Sequence, residues 1–172
     1  MRSRKLGSPK GMSVRPTPGR VKESLFSILM PRIKGSRFLD LFAGTGAIGF
    51  EAASRGAASV VSVEGHRETA DAIREAAEQF GVADTVTVVG APVDRALYRI
   101  DGPFDIVYAD PPYAEDVPLK MFELLLERKL LAEDALVIYE HSARTILPDV
   151  PGYRNVREEV YGDVALAFFT PG

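Results

Sequence analysis

Two short segments carry residues whose types and spacing could do chemistry. The first is Asp40-Leu41-Phe42-Ala43-Gly44-Thr45-Gly46-Ala47-Ile48-Gly49, where G-x-G-x-x-G directly follows an apolar run. Glycine there permits a tight strand-to-helix turn and lets backbone N–H groups approach a ligand. Glu64 stands 20 residues after Gly44. At that spacing a carboxylate ends the next strand and can accept both hydroxyls of a ribose. The pattern points to a nucleoside-containing cofactor, either a dinucleotide or S-adenosylmethionine. Asp40 separates the two. A carboxylate just before the loop is awkward beside a pyrophosphate that wants the helix N-terminus. It suits a ligand that carries an ammonium group. Without a ligand, the same segment is only a tight turn in a doubly wound sheet.

The second segment is Asp110-Pro111-Pro112-Tyr113, which follows the apolar run FDIVYA. Two prolines fix φ and remove two donors, so the turn is stiff and its carbonyls are not reclaimed by a helix. Asp110 and a proline carbonyl can then accept both hydrogens of an exocyclic amino group. Such acceptors favour a pyramidal nitrogen, whose lone pair can attack an electrophilic methyl group. Tyr113 offers a face on which a flipped base can stack. Alone, the segment also reads as a strand-ending proline turn.

The elements that must position these segments alternate along the chain. A helix is expected from Pro18, with Val21, Leu25, Ile28 and Leu29 at helical spacing up to Pro31. Strands are expected at 37–42, 59–64, 85–89, 104–109 and 135–141. Helices fill 44–55, 67–80, 92–98 and 119–131, and Gly162-Asp163 joins 155–161 to 164–170 as a hairpin. This is an α/β pattern: a mostly parallel, doubly wound, Rossmann-like sheet with a C-terminal antiparallel hairpin edge. Ligands bind such sheets beyond the carboxyl ends of the strands, so the loops after Phe42, Glu64, Val89 and Ala109 are the ones to search.

Composition narrows the class. The 172 residues fit one domain, with residues 1–17 as a basic arm. There is no cysteine and there are two histidines, which removes disulfides and thiolate metal sites and leaves little for a metal centre. No apolar run approaches the length of a membrane span and no secretory signal opens the chain, so a cytoplasmic location is expected. The net charge of −3 is unevenly spread. Residues 1–37 hold ten Lys/Arg against Glu23 alone, a net +9, and residues 38–172 hold 11 basic against 23 acidic residues, a net −12. An arm of that sign suits a polyanion, though a solvated tail has the same composition.

Arg15-Pro16-Thr17, then Arg20-Val21-Lys22-Glu23-Ser24-Leu25-Phe26, then DLFAGTGAIGFEAASRGA, then Glu64, then DPPY resembles the RsmD-like family of class I methyltransferases. Those enzymes act on the guanine N2 amine of small-subunit ribosomal RNA. DPPY alone is shared with adenine-N6, cytosine-N4 and protein-glutamine methyltransferases; the RPT stretch selects the family. The resemblance runs from about Arg15 to Val164, through Val160-Tyr161-Gly162-Asp163. It implies S-adenosylmethionine as cofactor, and ribosomal RNA or a partly assembled small subunit as partner, with no membrane and no metal. It also implies that Asp110 and Tyr113 bind the target guanine, with Pro111 and Pro112 shaping the catalytic site. Asp40, Phe42, Gly44, Gly46, Glu64, Gly90 and Ala91 hold the cofactor, and Arg15, Thr17 and Arg20 serve the RNA or the cofactor's methionine end. Two positions depart from the family. Gly19 stands where an acid is common, and Gly90-Ala91 lacks the acid many class I enzymes place beside the adenine, so adenine contacts must rest on backbone groups.

Rivals are a DNA amino-methyltransferase, a non-catalytic RNA or ribosome assembly factor, and an NAD-dependent dehydrogenase. The chain leaves no room for a separate DNA target-recognition segment, intact DPPY opposes loss of turnover, and Asp40 opposes NAD. His66 and His141 read as a polar loop residue and a sheet-end residue.

Overall fold

The protein is seen in a computed structural model that describes residues 18–112 and 116–172. Its elements are α1 (Gly19–Ile33), β1 (Arg37–Leu41), α2 (Ala47–Ser54), β2 (Ser59–Val63), α3 (Arg67–Gln79) and β3 (Val86–Val89). Then follow α4 (Val93–Ala96), β4 (Phe104–Ala109), α5 (Leu119–Glu127), β5 (Leu131–Ser142), β6 (Tyr153–Tyr161) and β7 (Val164–Pro171). The seven strands form one sheet in the order β3-β2-β1-β4-β5-β7-β6. The first five pair in parallel, and β7 runs antiparallel to both β5 and β6. This is the doubly wound sheet with a hairpin edge that the alternation of elements predicts.

Strand periodicity decides which residues face which helices. Phe38, Val60, Ile106, Tyr108 and Ile138 pack on one face against Val21, Leu25 and Leu29 of α1 and Ile48 of α2. Leu39, Leu41, Val107 and Tyr139 pack on the other against Leu97 and against Met121, Phe122 and Leu125 of α5.

The structure corrects several expected boundaries, among them the ends of α1 and α5 and the starts of α2, at Ala47, and β5. α1 does not end before Pro31 but runs to Ile33, which is 1% exposed. Burying Ile33 outweighs the hydrogen bond that proline cannot donate. Ser36 closes the helix by donating its N–H and hydroxyl to the Ile33 carbonyl, at 3.1 and 2.6 Å. α5 stops at Glu127, and Lys129 at φ 56 turns the chain, so β5 begins at Leu131 instead of residue 135. A register shift between Phe104 and Ile106 accommodates the extra residues. Tyr161 pairs with Val164 across the expected two-residue turn, with Gly162 at φ 63. No helix among the described residues is long and apolar enough to cross a membrane.

Candidate functional site

β1 sits between β2 and β4, and the connections leave the two sides of that junction in opposite directions. The crevice this opens at the carboxyl ends of the strands is where α/β sheets bind ligands. A cavity of about 470 Å³ lies there. Of the residues singled out from the sequence, Asp40, Phe42, Gly44, Glu64, Asp110 and Pro112 line it. The glycine turn and the proline turn, 70 residues apart from Asp40 to Asp110, thus share one cavity.

The glycine turn is shaped from below. Phe42 leaves β1 at φ 60, an uncommon left-handed conformation for a bulky residue. Gly46 caps α2 at φ 83, and a Cβ there would lie 2.9 Å from the Phe50 ring. At Gly49 a Cβ would lie 2.8 Å from Ser62 Oγ and 3.0 Å from Val60 Cγ1. Gly49 therefore lets α2 settle directly onto β2, so the loop above stays close to the sheet.

Glu64 ties two loops together. Its Oε1 accepts the Gly44 N–H at 3.0 Å and its Oε2 accepts the His66 N–H at 2.8 Å. Each oxygen keeps a further lone pair for a ligand hydroxyl.

Asp40 is buried beneath the turn, 1% exposed, yet it lines the cavity. The Gly49 N–H donates a hydrogen bond to it, and Oδ2 has no partner. Burial above all, with the nearby charges of Asp110 and Glu64, pushes its pKa well above the usual carboxylate range, against the lowering effect of Gly49. An orphaned carboxylate oxygen of this kind suits a cationic ligand group, so the donor set fits the sulfonium and ammonium end of S-adenosylmethionine. The raised pKa means that the folded chain binds this proton more tightly than the unfolded chain does. The site is therefore most favourable below the unfolded pKa and costs stability as pH rises toward the folded one. Asp40→Asn removes that cost. In the absence of ligand, its melting temperature should gain on the wild type as pH rises above the ordinary value of 3.8. A difference that stays flat as pH rises would contradict the assignment.

Asp110 follows β4, whose last residue Ala109 is level with Leu41 of β1 and Tyr139 of β5. The charge of Asp110 also helps burial to raise the Tyr139 pKa, so the carboxylate sits close to the end of β5. Pro111 is buried and Pro112 exposed. Tyr113, Arg15 and Thr17 lie outside the described residues. Arg20, exposed in the first turn of α1, lies over the β6–β7 turn and is not in the cavity wall; a Cβ on Gly162 would come within 2.9 Å of its Nη2.

The wall expected from Gly90 and Ala91 is built differently. Ala91 is buried and Gly90 lies against the Arg74 guanidinium, neither lining the cavity. Pro92 turns the chain, so Pro92, Val93 and Asp94 line the cavity instead. An acid does line the cavity three residues after Ala91, Asp94 in the first turn of α4. Its signal was a proline followed at once by an acid-bearing helical start. Leu97, Met121 and Leu124 complete an apolar wall that no local motif announces. His66, read as a polar loop residue, also lines the cavity, as does Tyr108, whose hydroxyl donates to Glu140 Oε1 at 2.7 Å. His141 stacks on Tyr139, with Nδ1 2.8 Å from the Ser142 carbonyl. No cluster of metal-ligating side chains is present among the described residues.

The model of a family described as conserved hypothetical protein 95 matches residues 1–170. Ribosomal RNA small subunit methyltransferase D of Escherichia coli K12 is 35% identical over 98% of this chain and 85% of that protein. The solved structure of the E. coli protein yhhF superposes with a TM-score of 0.86 at 35% identity, covering 98% of this chain and 92% of that one. An RNA methyltransferase from Salinibacter ruber, solved with S-adenosyl-L-homocysteine, shares the fold with a TM-score of 0.72 at 21% identity over 91% of this chain and 94% of that one. A family match over nearly the whole sequence, joined to a relative covered over most of its length, places the chain in the RsmD family of class I methyltransferases.

Proposed function

We propose that this chain is an S-adenosylmethionine-dependent methyltransferase whose target is the exocyclic N2 amine of a guanine in small-subunit ribosomal RNA. The observation that carries the reading is the convergence of Asp110 and Pro112 with Asp40 and Glu64 on one cavity. The name of the E. coli relative supports the ribosomal substrate, and the net +9 of residues 1–37, which include the arm, suits a phosphate backbone.

S-adenosylmethionine supplies an electrophilic methyl group on a sulfonium. Glu64 takes the ribose hydroxyls on the lone pairs its backbone donors leave free. Asp40 faces the cationic methionine end. Pro92, Val93 and Leu97 would enclose the adenine, and Asp94 would accept from its amino group. Asp110 and a proline carbonyl of the turn accept the hydrogens of the target amine, which turns the nitrogen lone pair outward. The amine gives up its proton as or after it is methylated, so positioning and charge stabilisation outweigh proton abstraction. Tyr113 would stack on the flipped base, Arg15 and Thr17 would serve the RNA beside it, and Arg20 would meet the RNA outside the cavity wall, over the β6–β7 turn.

The test is methyl transfer from labelled S-adenosylmethionine to small subunits, or their RNA, from cells lacking the enzyme, with duplex DNA in parallel. Label at one RNA nucleotide is expected. Label on DNA, or none on either, would overturn the reading.

A further inference from the structure

We propose that Arg95, Tyr98, Arg99, Arg128 and Lys129 form a second RNA-docking surface, separate from the N-terminal arm. The proposal rests on the RNA reading above and deepens it. All five residues are exposed, Tyr98 to 56%. One helical turn links them: Tyr98 N–H donates to the Arg95 carbonyl and Arg99 N–H to the Ala96 carbonyl, at 3.1 and 2.8 Å. Residues three and four apart share a helical face, so Tyr98 and Arg99 lie on the side of Arg95. The end of α5 meets them. The Arg128 guanidinium lies 5.3 Å from the Tyr98 ring centroid, and its Nε and Nη2 donate to the carbonyls of Leu97 and Tyr98, both at 3.4 Å. The aromatic ring is therefore braced on one side by a cation and open on the other. Lys129 follows in the left-handed conformation that ends the helix.

Clustering of unpaired cations marks this patch: of the seven basic residues in 38–172 with no ion pair among the described residues, four lie here, while Arg67, Arg144 and Arg154 stand apart. Residues 38–172 hold 23 acids against 11 bases, so a basic side chain there has abundant partners. Arg55, Arg74, Lys120 and Arg157 each form an ion pair. Arg95, Arg99, Arg128 and Lys129 form none among the described residues, although Asp94, Asp101 and Glu127 are close in sequence. Four unneutralised cations around an open aromatic face are the chemistry of a phosphate backbone with a base stacked beside it. A protein partner would also use Tyr and Arg, but it would not require four cations of one sign.

Position fits the same occupant. Leu97, one residue before Tyr98, lines the cavity, so the patch begins at the cavity wall. α5 and Leu97 pack on one face of the sheet and α1, which follows the arm, packs on the other. RNA entering the cavity would be gripped from both sides.

The test uses the full chain carrying Arg95→Gln, Arg99→Gln and Lys129→Gln together; Arg128 is kept because it braces Tyr98. The probe is labelled small-subunit ribosomal RNA, titrated over a series of salt concentrations. Affinity at low salt should fall roughly tenfold or more, and the slope of log affinity against log salt should flatten by about 2, the release expected from three lost phosphate contacts. Tyr98→Ala should weaken binding roughly tenfold with the slope unchanged. Affinity for S-adenosylhomocysteine should not move in either variant, which also reports folding, and Arg154→Gln on β6 should behave as wild type. If wild type binds and methylates the RNA and the triple variant matches it in affinity and slope, the patch is not an RNA surface. If naked RNA binding is intact but methylation of assembled subunits is lost, the patch docks a protein and the proposal fails. If wild type neither binds nor methylates ribosomal RNA, the functional reading itself fails.

Discussion

Asp110→Ala should methylate roughly 10²-fold more slowly than wild type in a single turnover, the scale of a deleted transition-state contact. Its folding and its affinity for cofactor should be nearly unchanged. The carboxylate stands at the end of β4, in a turn held by Pro111 and Pro112, and forms no part of either apolar layer. Asp110→Asn keeps an acceptor oxygen at the same place and should retain partial activity. That ordering separates an acceptor from an obligatory base, which Asn would abolish as fully as Ala. Near wild-type transfer by Asp110→Ala, at saturating cofactor, would put the chemistry elsewhere.

The second large effect belongs to Glu64. Glu64→Ala should lower affinity for S-adenosylmethionine or its demethylated product by roughly tenfold to a hundredfold, the weight of a charged acceptor. Part of that loss comes from the loops. The Gly44 and His66 N–H groups lose the carboxylate that holds them, so the variant should also melt earlier without ligand. Glu64→Gln keeps one acceptor oxygen and should fall between the two. Calorimetry reads both variants, and NAD serves as the competitor. NAD binding tighter than S-adenosylmethionine would remove the cofactor assignment.

How far these residues could be read in advance depended on how local their cause is. The turn at Gly44 to Gly49 and the hairpin at Gly162-Asp163 are set by φ preferences within a few residues, and both lie where the sequence put them. β4 was delimited correctly because Phe104–Ala109 is flanked by prolines and buried on both faces. Other features have causes far away in the chain. Nothing near Pro31 tells that Ile33 will find a core to fill, so the local pattern ends α1 too early. The start of β5 depends on a pairing between Phe104 and Leu131 that crosses the whole α5 connection. The apolar wall of Leu97, Met121 and Leu124 exists only because α4 and α5 pack on the same face of the sheet. For the same reason the Arg95–Lys129 surface is invisible along the chain. Its two halves lie about 30 residues apart and meet only after β4 is laid down between them.

Identification of the methylated nucleoside tests the central claim most directly. Ribosomal RNA labelled by the wild-type chain is digested to nucleosides, and the labelled species is compared with authentic standards, with Asp110→Ala run beside it. The account predicts all label in N2-methylguanosine, and almost none from the variant. Label in N6-methyladenosine or N4-methylcytidine, or equal label from Asp110→Ala, would contradict it.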